Sequence, residues 1–79
     1  MALAESIRIV RQKSFLSQED FAKALCVSLS TVNRWETGRA KPNLAAMKSL
    51  KAFCEKNDLC YSDIETEWLT AERYTKKEK

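Results

Sequence analysis

The residues best suited to do chemistry lie between Ser28 and Gly38, in the stretch SLSTVNRWETG. They are hydroxyls, one amide and one guanidinium: Ser28, Ser30, Thr31, Asn33 and Arg34, with Leu29 among them. Groups of this kind recognise by hydrogen bonding. An arginine fork can meet guanine O6 and N7 together, an asparagine amide suits adenine, and a leucine can touch a thymine methyl. Ser28 is an N-cap candidate because its hydroxyl can accept an orphan backbone N–H, and Gly38 is a ready left-handed stop. The helix between them, 29–37, is barely three turns long. Val32 and Trp35 share one side at i, i+3, while Leu29, Ser30, Asn33 and Arg34 point away from it. That outer face reads either as ordinary solvated surface or as a helix that reads base edges.

The flanking elements must decide how this helix is held. Leu16 to Leu25 forms a second short helix with Ser17 as its cap and Phe21, Ala22 and Leu25 as its buried stripe. Only Cys26 and Val27 separate it from the Ser28 cap, so the two helices cross steeply, which is helix-turn-helix spacing. Gln18 opens the second helix, where its side chain and free backbone N–H groups can face a phosphate. Glu19 and Asp20 suit the helix dipole but repel DNA, and are expected to point away. Upstream, Leu3, Ile7 and Val10 give a first helix its apolar stripe, ending near Lys13 or Ser14. Downstream, Arg39 to Asn43 is basic and irregular, with Pro42 fixing the path and Asn43 able to cap a fourth helix. That helix runs from Leu44 to about Lys56, with Leu44, Met47, Leu50, Phe53 and Cys54 facing the core. Ser62 with Glu65 three residues later is a capping-box signature for a fifth helix, 62–74, followed by a frayed tail, 75–79. Ile64 and Trp68 on this helix either complete a small core or belong to an exposed apolar patch.

Composition agrees with an all-α chain forming one helix-turn-helix domain over 1–79, its core at about 3–57. One Gly and one Pro leave few places for turns. Met1 to Lys41 carries seven basic against four acidic residues, whereas Pro42 to Lys79 carries seven of each. All the net positive charge therefore lies in the helix-turn-helix half, which suits a polyanion. From Asp58 to Glu72 there are five acidic residues and no basic one, so the fifth helix should be kept off DNA. Three cysteines without CxxC spacing, and no histidine, argue for reduced thiols and no metal site. No catalytic constellation and no cofactor motif is present, so the chain is expected not to be an enzyme. No segment is long and apolar enough for a membrane helix, and MALAESIRIVRQK lacks a signal peptide's apolar core. The expectation is a soluble, cytoplasmic protein.

The run SQEDFAKALCVSLSTVNRWETGRAKPN resembles the Cro-type, phage-repressor-like (lambda-repressor-like) helix-turn-helix family, over roughly Ile7 to Phe53. Gln18, Ala22, Val27-Ser28, Val32, Trp35-Glu36 and Gly38 carry the resemblance. Cys26 departs from it, because the family most often has glycine at this left-handed turn. The resemblance implies a compact five-helix fold that binds double-stranded DNA as a sequence-specific, repressor-like transcriptional regulator. Leu29, Ser30, Asn33 and Arg34 would then face base edges, while Gln18, Ser28, Thr31, Arg39, Lys41 and Asn43 would mostly hold phosphates. It also implies a pair between Arg11 and Glu36 that locks the first helix to the reading helix, where otherwise both would be surface charges. Finally, the family's last helices often form a dimer contact, for which Tyr61, Ile64, Trp68 and Leu69 could supply a patch, toward a homodimer or another protein partner. An antitoxin or protein-interaction module on the same fold remains the alternative, favoured by Glu19, Asp20 and the acidic fifth helix.

Overall fold

A computed structural model describes residues 3–78, with side chains through residue 70. It contains α1 (Leu3–Lys13), α2 (Gln18–Leu25), α3 (Leu29–Glu36), α4 (Leu44–Lys56) and α5 (Ser62–Glu78), and no strand among the described residues. Local chemistry starts the middle three. Ser17 Oγ accepts the Asp20 N–H at 3.1 Å, Ser28 Oγ accepts the Thr31 N–H at 3.1 Å, and Asn43 Oδ1 accepts the Ala46 N–H at 2.8 Å. Each cap contributes about 1 kcal/mol by satisfying a donor that the helix itself leaves unpaired.

The first four helices end alike. In each, a residue in the left-handed region is followed by an N–H that reaches back five residues: Leu16 to the Arg11 carbonyl, Val27 to Ala22, Arg39 to Arg34 and Leu59 to Cys54. This is the Schellman closure, and three of the four following residues, Leu16, Val27 and Leu59, are apolar and pack against the core. The left-handed residues are Phe15 (φ 59°), Cys26 (φ 61°), Gly38 (φ 78°) and Asp58 (φ 58°), so only one of the four is glycine. The helix-turn-helix turn thus keeps its backbone shape with cysteine in it. A side chain there costs about 1–2 kcal/mol, partly offset by the greater freedom glycine loses on folding. Cys26→Gly is therefore expected to stabilise the domain by roughly 0.5–1 kcal/mol, seen as a melting temperature several degrees higher. A lower melting temperature would show that the thiol makes a contact outweighing the strain.

The core is assembled from all five helices: Ile7 and Val10, Phe21 and Leu25, Val32 and Trp35, Met47, Leu50 and Cys54, and Ile64. Helix α2 packs on α3 and α4, while α1 packs on α3 and α5. Phe21 meets Phe53 edge-to-face at 5.3 Å. One expectation for α4 is corrected: Leu44 is 63 % exposed, with Ala46 in the buried set instead, while Phe53, half-buried, packs against the core as expected. The reason is positional: Leu44 begins the helix, one turn before the stripe reaches its neighbours. Helix α5 also differs. It opens at Ser62 itself, with the Glu65 N–H donating to the Tyr61 carbonyl at 3.0 Å, so Ser62 is the first helical residue and not the cap. It continues to Glu78 and not only to Tyr74, because 75–78 contains good helix formers and no glycine or proline; Lys79 of the expected tail lies outside the described residues. Cys54 is buried, which pushes its thiol up to about 11. No helix among the described residues is long and apolar enough to cross a membrane.

Candidate nucleic-acid interface

Helix α3 is held by its inner side and presents its outer one. Val32 and Trp35 are buried, whereas Ser30, Asn33 and Arg34 are exposed and Leu29 is half-exposed. Its orientation is fixed by a polar lock at its C-terminal end. Arg11 Nε donates to Glu36 Oε2 at 2.7 Å and Nη2 donates to Glu36 Oε1 at 2.9 Å, a bidentate pair reaching from α1. Arg11 Nη1 also donates to the Leu16 carbonyl at 3.0 Å, tying the pair to the α1–α2 turn. The Glu36 side chain is 3 % exposed and that of Arg11 16 %. Their hydrogen bond holds the guanidinium above its usual basicity despite partial burial.

The lock extends toward the outer face of α3. Gln18 Nε2 donates to Glu36 Oε1 at 3.0 Å, and Gln18 Oε1 accepts from Asn33 Nδ2 at 3.5 Å. A carboxylate only accepts, so the Gln18 amide must turn its nitrogen to Glu36 and its oxygen to Asn33. The amide thus bridges Glu36 and Asn33, and its second Nε2 hydrogen, with the backbone N–H groups at the start of α2, is what it offers to the phosphate expected there. Asn33, in turn, has one amide hydrogen occupied, with its other hydrogen and Oδ1 still outward.

Beside α3 lies an open cleft of about 400 Å³. Ser28, Thr31, Arg34, Lys41 and Asn43 line it, with two cations and no acid among its walls. Ser28 and Asn43 are also the N-caps of α3 and α4, so both positive helix ends open onto the same space. The Ser28 and Thr31 hydroxyls are 2.8 Å apart, forming a small polar rim. Arg39 is not among these residues. It lies in the turn after Gly38 and lines an adjoining groove that shares Trp35, Ala40 and Lys41 with the cleft.

The four residues expected at a dimer contact are largely used inside the molecule. Ile64 is fully buried, which removes it from any surface patch. The Tyr61 hydroxyl donates to the Met47 carbonyl at 3.2 Å, and Trp68 Nε1 donates to the Pro42 carbonyl at 2.6 Å. Tyr61 and Trp68 are half-buried, and Leu69 is half-exposed. The contact from Trp68 to Pro42 had no sequence signal beyond the general need of a packed indole N–H for a partner.

A short, buried-edged helix joined by a tight left-handed turn to the helix before it, with a cationic cleft at its start, defines a lambda-repressor-like helix-turn-helix DNA-binding domain. Residues 7–56 match the helix-turn-helix family, and the chain belongs to it. It is also similar to an HTH-type transcriptional activator, BcrR, of Enterococcus faecalis, with 32 % identity over 53 residues, which is 67 % of this chain and 26 % of that protein. The chain thus spans about a quarter of that relative's length. No solved structure matches.

Proposed function

We propose that the chain is a sequence-specific, double-stranded-DNA-binding transcriptional regulator that reads the major groove with α3. The observation that carries this reading is the pairing of an outward polar face, held from behind by the Arg11–Glu36 lock, with a cationic cleft onto which two helix N-termini open. Phosphates seated at Ser28, Thr31, Lys41 and Asn43 would fix register, and Leu29, Ser30, Asn33 and Arg34 would meet base edges. The similar protein BcrR is named an activator, whereas the family resemblance implies a repressor-like role, and either makes the chain a regulator.

The test is retention of a randomised duplex library by the purified protein at physiological salt, followed by sequencing. An enriched near-palindrome is expected, with half-sites about 34 Å apart if two copies bind together. Weak, unselective binding that vanishes with added salt would sink the specific reading. Arg34 both stands on the outer face and lines the cleft, so its role needs its own measurement. Arg34→Ala should cost roughly 1–3 kcal/mol on the enriched site and relax preference at one base pair. Equal weakening on all duplexes would make Arg34 a phosphate contact instead.

A further inference from the structure

Trp68 lies in α5, beyond residue 56 where the family match stops, yet it reaches back to the loop that joins α3 to α4. Its indole N–H donates to the Pro42 carbonyl at 2.6 Å, and its ring lies 5.4 Å from Lys41 Nζ. The other end of the same loop is already tied down, because the Arg39 and Ala40 N–H groups both donate to the Arg34 carbonyl. Between these two anchors the loop has no helical ladder of its own. Pro42 is fully buried and its ring fixes φ, so holding its carbonyl also fixes the direction in which Lys41 leaves the chain and α4 begins. The indole face attracts the ammonium and steadies it where it lines the cleft.

We infer that Trp68 is a positioning residue for binding of the DNA backbone: α5 pre-orders the loop so that Lys41 and the N-terminus of α4 meet a phosphate already in place. This rests on the DNA-binding reading above. A loop ordered during folding does not have to be ordered again on binding, so the gain appears as affinity without any direct contact between Trp68 and DNA. It should act equally on every sequence, because phosphates carry no base identity. The acidic stretch of α5 is compatible with this role, since the helix works through the loop and does not itself have to approach the duplex.

Trp68→Phe keeps an aromatic ring and removes the donor, and two readouts follow it. In the free protein, amide exchange at Arg39, Ala40 and Lys41 should quicken about tenfold beyond any change at Val32 and Leu50, because only the local opening is affected. On DNA, Kd should rise roughly two- to tenfold on enriched and scrambled duplexes alike. Lys41→Ala should also weaken binding less in the Trp68→Phe background than in the unmodified protein. Ile64→Val provides the control: it lowers stability through the same helix without touching the loop, and should leave Kd unchanged. Loop exchange that does not change, or a loosened loop with Kd and the Lys41→Ala effect unaltered, would overturn the inference. If the unmodified protein binds no duplex at any salt, the DNA reading fails first, and is told apart by appearing before any substitution is made.

Discussion

Arg11→Ala is expected to destabilise the domain by about 3 kcal/mol, the lower end of what breaking a buried ion pair from one side costs. Glu36, with its side chain 3 % exposed, would be left without its cation in a site that admits little water. The lower end applies because Gln18 Nε2 still donates to Glu36 Oε1 after the guanidinium is gone. Denaturant unfolding measures the loss directly. Adding Glu36→Gln to Arg11→Ala should recover part of it, since no buried charge then remains, and the two substitutions must be non-additive because their side chains touch. Additive effects would mean that the pair behaves as two independent surface charges. The functional loss should exceed what instability alone predicts. The pair links α1 to the end of α3, and through Gln18 it reaches Asn33, so base preference at the Asn33 position should blur in protein that is still folded.

Ile64→Ala is the second large effect, with an expected loss of roughly 2–5 kcal/mol. Ile64 is fully buried, so its truncation removes methyl groups from a packed interior and leaves a cavity. The result would establish that α5 belongs to the folding unit although it lies past residue 56, the end of the family match. Thermal melting at two protein concentrations checks it. A loss below 1 kcal/mol, or a melting temperature that falls only on dilution, would return Ile64 to an interface between copies.

Much of this was readable from the chain because it is decided locally. Ser17, Ser28 and Asn43 cap their helices as expected, since a cap needs only a short acceptor side chain and the N–H three residues on. The packing of α2 on α3 across Cys26-Val27 followed from the two-residue spacing, and the Arg11–Glu36 pair from the family resemblance. What was not readable depends on tertiary placement. Nothing near Gln18 in sequence says that its amide turns inward; that is set by Glu36, eighteen positions away. Trp68 meets Pro42 across twenty-six positions, so nothing local decided between the two readings open for Ile64 and Trp68, core or exposed patch, and the fold packs both inward. The left-handed Phe15 and Asp58 were likewise hidden, since neither is glycine. A usable signal was present in the apolar residue that follows each, Leu16 and Leu59, which pulls the chain back onto the core.

The two central helices, α2 and α3, are eight residues each. Isolated helices shorter than about 12–15 residues are marginal in water, so neither would persist outside the assembled domain. The outer face of α3 proposed to meet DNA therefore exists only in the folded population, and a duplex that binds it has no purchase on the unfolded chain. Binding and folding are then linked by mass action: duplex at a hundredfold excess over Kd should stabilise the domain by about 2.7 kcal/mol. Thermal melting of this small protein in the presence of a candidate duplex thus serves as a label-free titration, in which the rise in midpoint ranks operator sequences by affinity.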